Sequence, residues 1–176
     1  MIMSVDISVQ IMFDARVDEL HAALNRIWNA LFNEDHQLQI SFEKTTAAEE
    51  SIIGPYDTTL FIGLEENPKV QILIFDLGHE EVYAGTDPYE GGFIALISPY
   101  RSRPSFLLMY LVGIAFSEVF QRPILDDANR INLGIRYDGR KLFDHIRSFH
   151  SKSFAELTEK FCDAANVGFG TEIPDS

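Results

Sequence analysis

The amino-acid sequence predicts an α+β fold: one domain with a mainly antiparallel sheet of five or six strands, helices packed on one side, and one central apolar helix. Three observations predict it. Short runs with apolar residues at every second position recur along the chain, which is the period of a strand. Runs of consecutive strands are followed by consecutive helices rather than alternating with them one for one, which favours antiparallel pairing. One stretch, Phe106 to Phe116, is apolar over 11 residues, and a helix made from it is hydrophobic nearly all round and belongs in the centre.

The elements follow in order. Val5, Ile7, Val9, Ile11 and Phe13 alternate with polar residues and read as a first strand with one wet face. Asp14 is placed to cap a helix whose stripe is Val17, Leu20, Leu24, Ile27, Trp28 and Leu31. Leu38, Ile40 and Phe42 give a second strand, and residues 45–56 read as a loop ending in Gly54-Pro55. Thr59–Leu64 and Val70–Asp76 form a hairpin, and their near-continuous apolar content predicts central strands covered on both faces. Residues 78–92 are an acidic loop, and Phe93–Ser98 is a buried strand. The apolar helix runs from about Ser105 to Phe120 after an arginine-rich turn. Pro123-Ile124-Leu125 is a short extended piece, and Ile131, Leu133, Ile135 and Tyr137 suggest a last strand. Two closing helices use Leu142, Phe143, Ile146 and Phe149, then Phe154, Leu157 and Phe161. The second opens with a Ser153-to-Glu156 capping box and closes at Gly168. The domain therefore occupies 1–167, with a frayed tail over 168–176.

At 176 residues, 46% of them apolar and 14 of them Phe, the chain can bury a core without staples. The single Cys162 allows no internal disulfide and fits a reducing cytoplasm. No secretory signal opens the sequence, and an 11-residue apolar run falls short of the ~20 residues that span a bilayer.

Charge is divided unequally. Residues 1–98 carry 17 Asp and Glu against four Lys and Arg, whereas residues 99–176 carry ten of each, so the whole net charge of −13 lies in the first part. This disfavours nucleic acid and anionic membranes and suits a basic protein partner. Pro-Tyr occurs three times beside charge, at Pro55-Tyr56-Asp57, Pro88-Tyr89-Glu90 and Pro99-Tyr100-Arg101. Proline stiffens a loop and tyrosine offers a broad contact surface with a polar tip, a combination enriched at interfaces. Ordinary turn chemistry is the competing explanation. The residues expected to bind the partner are Tyr56, Asp57, Glu80, Glu81, Asp87, Tyr89 and Glu90. In size and acidity the chain resembles the small α+β immunity proteins that bacteria make against polymorphic toxins, and that resemblance implies an inhibitor of a cationic enzyme.

The signals for catalysis are weaker. His145 and His150 are five apart and do not share a helix face, and His79, His21 and His36 lack partners at ligand spacing, so no metal and no cofactor is expected. Cys162 reads as a buried small hydrophobe rather than a nucleophile. The alternative function is a small enzyme whose polar site gathers Arg101, Arg103, Asp126 and Asp127. Adjacent residues of an extended segment point opposite ways, however, so the competing reading is that Asp126 or Asp127 pairs with an arginine and caps the following turn. Glu118 has Arg122 at i+4 as its nearest basic neighbour in sequence. A homodimer through an exposed strand, with Thr59–Leu64 as the candidate edge, is a further expectation.

Overall fold

A computed structural model describes residues 6–11, 13–32, 38–44, 52–53, 58–64, 68–76 and 93–167. The elements are β1 (Ile7–Ile11), β2 (Ala15–Arg16), α1 (Val17–Leu31), β3 (Leu38–Lys44), β4 (Ile52–Ile53), β5 (Thr58–Leu64), β6 (Lys69–Asp76) and β7 (Phe93–Pro99). They continue with α2 (Arg103–Phe120), β8 (Ile124–Leu125), β9 (Arg136–Tyr137), α3 (Gly139–Arg147) and α4 (Phe154–Ala164). Five long strands form the body of one antiparallel sheet, and two short ones extend it, in the order β3-β5-β6-β7-β1-β8-β9. β2 and β4 form a separate two-residue ladder. This is the α+β arrangement that the sequence predicts.

Strand register explains where the core lies. Leu60 faces Ile72, Ile72 faces Ile97, and Ile97 faces Ile7, so four buried aliphatic side chains form one row across the sheet. Ile74, Ala95, Val9 and Ile124 form the next row. These rows meet α2, which contacts β1, β6 and β7 and is flanked by α1, α3 and α4. Every residue of α2 from Ser105 to Ser117 is buried. By length and apolarity α2 would suffice to cross a membrane, and in this fold the sheet and three helices cover it. Gly113 permits the closest approach: a Cβ there would stand 2.5 Å from Ile7 Cδ1.

Several expectations need correction. β5 and β6 lie inside the sheet order, but their face turned from the helices is only partly buried. Leu73 is 36% exposed and Thr59 and Phe61 are half-buried, because the helices all pack on the other face. β5 is not an edge strand, since it sits between β3 and β6. Helix α1 is capped at Arg16 rather than Asp14, with the Arg16 N–H donating to Glu19 Oε2 at 2.8 Å. The shift follows from Ala15 and Arg16 pairing with Ile53 and Ile52, a ladder in a segment expected to be loop. Strand structure before Tyr137 shrinks to two residues. Asn129, Asn132 and Gly134 all adopt positive φ, which breaks the alternating run. Ser153 caps α4 by accepting the Glu156 N–H, but Glu156 accepts the N–H of Lys152, so the box is not reciprocal. Asn166 takes the left-handed position after α4, and Val167 N–H returns to the Cys162 carbonyl. Gly168, the expected stop, lies outside the described residues, as does the tail.

Candidate functional site

Tyr56, Asp57, Glu80, Glu81, Asp87, Tyr89 and Glu90 all lie outside the described residues. The residues that flank them do not. Thr58 pairs with Ile74, and Asp76 pairs with Phe93, which in turn pairs with Ile11. The start of β5, the end of β6, the start of β7 and the end of β1 therefore share one end of the sheet. Both acidic Pro-Tyr segments are attached there, 54–57 through Thr58 and 77–92 through Asp76 and Phe93. The third Pro-Tyr stands at the opposite end, where Pro99 pairs with Val70 and Tyr100 is 45% exposed.

The alternative polar site does not assemble from its four residues. Arg103 opens α2 and directs its two terminal nitrogens to α4, at 2.7 Å from Glu159 Oε2 and onto Asp163 Oδ1. Asp163 first, with Glu159, holds the guanidinium pKa up. Arg101 and Asp127 are exposed. Asp126 points the other way, as adjacent residues on an extended segment must, and is buried. Its partners are tyrosines rather than arginines: Tyr110 and Tyr137 donate to Asp126 Oδ2 at 2.9 and 2.8 Å. Burial raises the Asp126 pKa, and the hydrogen bonds from Tyr137, Tyr110 and Asn129 oppose that rise. Burial also lifts both phenols above their ordinary range, helped by the neighbouring carboxylate. The network ties α2, β9 and the turn after β8 together, and Asp126 and Tyr110 are closed to substrate.

Glu118 reaches Arg26 of α1 at 2.6 Å instead of Arg122, so it bridges two helices rather than bonding within its own. Cys162 is buried and donates to the Arg103 carbonyl at 3.4 Å, and burial raises its thiol to about 11. His145 packs edge-on to Phe149, and burial lowers its pKa. Among the described residues no group of three metal-binding side chains forms.

A groove of about 930 Å³ lies between the second half of α1, the end of α2 and the start of α3. Its apolar walls include Ile27, Ile114, Pro123 and Phe143, and the ring of Tyr137 adds to them. Arg26, Arg122, Arg136 and Arg140 also line it, against Glu118 and Asp138. Tight contact between α2 and α3 closes its floor. Gly139 N–H donates to Ser117 Oγ at 3.1 Å, and a Cβ on Gly139 would lie 3.3 Å from the Ile114 carbonyl. Ser117 Oγ also donates to the Arg122 carbonyl at 2.6 Å, and Gln121 takes the left-handed position that ends α2. Sequence reading missed this groove because its arginines come from four separate elements or turns. The one local hint was the density of arginine after residue 120. No family model, curated protein or solved structure matches this chain.

Proposed function

We propose that this chain is a non-catalytic protein-binding module that turns the acidic, tyrosine-bearing end of its sheet toward a basic protein partner, in the manner of an inhibitor or a bacterial toxin-immunity protein. The observation that carries the reading is the strand register, which attaches both acidic Pro-Tyr segments to one end. Neighbouring strands are ~4.8 Å apart, so anchors on β5, β6 and β7 fall within roughly 10 Å of one another. That span is close to the Debye length at physiological salt, so like charges attached there act on a partner as one field.

Ion pairs among the described residues fall mostly within one part or the other. Arg103 pairs with Glu159 and Asp163, Arg140 with Asp144, and Lys160 with Glu156, all within the C-terminal part. Arg16 pairs with Asp18 within the N-terminal part. Arg26 pairs with Glu118, so the N-terminal part gives one of its four bases to the other part. None of these pairs sets a C-terminal base on an N-terminal acid. On this reading the acidic end meets a basic surface, and complementary fields raise the rate of encounter and select against wrong partners. The proposal places the protein in the cytoplasm, with no need of nucleic acid, membrane or cofactor.

The test is capture of a basic protein by the tagged chain at low and at moderate salt, repeated with the Glu80→Lys, Glu81→Lys double variant. We expect a partner whose recovery falls as salt rises and whose affinity drops at least about tenfold in the double variant, with circular dichroism unchanged. Equal affinity of a folded double variant for that partner would refute the acidic-end reading.

A further inference from the structure

We infer that the groove between α1, α2 and α3 binds a small amphiphilic anion: a carboxylate, sulfonate or phosphate group on an apolar body. The proposal does not rest on the protein-binding reading, because it concerns other residues. A cavity of about 930 Å³ lies within the range that encloses a small organic ligand, roughly 300–1,000 Å³. Its composition is the kind such sites use, an apolar lining with a few convergent charged groups. Ile27, Ile114, Pro123 and Phe143 offer the surface for the body of the ligand.

The charged groups decide the sign. Four arginines line the groove against two carboxylates, in a molecule whose net charge is −13. Both carboxylates are already engaged, since Glu118 holds Arg26 and Asp138 accepts the Lys141 N–H as the cap of α3. Arg122 is half-buried at the groove wall and has no acidic partner among the described residues. Among the described residues Arg140 has one acidic partner, an exposed contact to Asp144 at 3.5 Å, which a ligand can replace at little cost. The guanidinium fork suits a carboxylate, sulfonate or phosphate, and Arg122 and Arg140 are the pair we assign to that group. A neutral ligand would leave the half-buried Arg122 without an acidic partner among the described residues, and a cation would be repelled by Arg122 and Arg140.

Two dyes that share an aromatic body test this directly. Anilinonaphthalene sulfonate carries an anionic group, and N-phenylnaphthylamine has the same rings without one. Titration of the full chain, followed by dye fluorescence, should give saturable one-to-one binding of the sulfonate. Binding of the neutral dye should be at least about tenfold weaker. Arg122→Gln with Arg140→Gln should bring the sulfonate down to the level of the neutral dye. Arg140→Gln alone, at an exposed position, should account for part of that loss without touching the fold. Ala30→Phe, which places a ring in the groove without changing charge, should weaken both dyes. Near-ultraviolet circular dichroism confirms that each variant keeps its packed core. Equal affinity for the two dyes, sulfonate binding unchanged in a folded double-arginine variant, or no binding of either dye to the wild-type chain would each overturn the proposal.

Discussion

Asp126 is a carboxylate placed where burial works against its charge and two phenols work for it. The second effect does not fully offset the first, since its pKa stays raised with desolvation as the largest cause. The folded chain therefore holds this proton more tightly than the unfolded chain does. The stabilising contribution is fully present below the ordinary value of 3.8 and is lost as pH rises through the raised one. Urea denaturation should show the wild-type chain losing stability relative to Asp126→Asn as pH rises above about 4, because asparagine does not titrate. Asp126→Leu goes further and leaves two buried hydroxyls without an acceptor, a cost of about 2–6 kcal/mol at neutral pH. A wild-type-to-asparagine difference that stays flat with pH would mean that the carboxylate is not desolvated as its position implies. Sequence reading found Asp126 and saw that it must diverge from Asp127. It could not find the partners, because Tyr110 and Tyr137 are 16 and 11 residues away, distances at which no local spacing rule operates.

Among the elements, the contact of α2 with β1 sets the spacing between helix and sheet, and Gly113 controls it. Alanine in a helix interior is favoured over glycine by about 1 kcal/mol, but a Cβ at 113 collides with Ile7 Cδ1 at 2.5 Å and touches Ile124 Cδ1 at 3.7 Å. The collision wins, because Ile7 is 1% exposed and has no free space to turn into. Gly113→Ala alone should lower stability by about 1–3 kcal/mol. Ile7→Val removes the offending methyl and by itself costs about 0.5–1.5 kcal/mol. The double variant should lose less than the two single losses added together, and denaturation of all four proteins measures that coupling. Strict additivity would show that the helix moves rather than the side chain. This element and the β5–β6 hairpin were legible in the sequence, since a long apolar helix and two paired apolar runs leave strong periodic signals. The two-residue strands β2, β4 and β9 were not, because a ladder of two residues has no period to detect. The run from Ile131 to Tyr137 imitated a strand, while backbone turns at Asn129, Asn132 and Gly134 prevented one.

For the molecule as a whole, the uneven charge was readable by counting, and the groove that gathers arginines on the opposite balance was not, because only folding brings Arg26 beside residues 122–140. The same charge that suits a basic partner has a consequence for stability. Seventeen acids among the first 98 residues face four bases, so repulsion outnumbers attraction in that part. Against this stand ion pairs such as Arg140 with Asp144, whose side chains are 83% and 59% exposed and whose attraction is small in water. Raising ionic strength from 0.01 M to 0.15 M shortens the Debye length from about 30 to about 8 Å. Screening then removes long-range repulsion between many acids, whereas the exposed pairs among the described residues, such as Arg140 with Asp144, have little attraction to lose. Added sodium chloride should therefore raise the midpoint of urea denaturation over this range. Glu80→Lys with Glu81→Lys takes the net charge from −13 to −9, because each replacement changes it by two. That variant should be the more stable protein at low salt and should gain less from added salt, even as the proposed partner binding weakens. A single pair of residues would then move stability and binding in opposite directions, the relation expected where charge is kept for recognition at a cost to the fold. If the wild-type midpoint instead fell with salt, the ion pairs would be the stronger term, and the acidic part would not act as an uncompensated field.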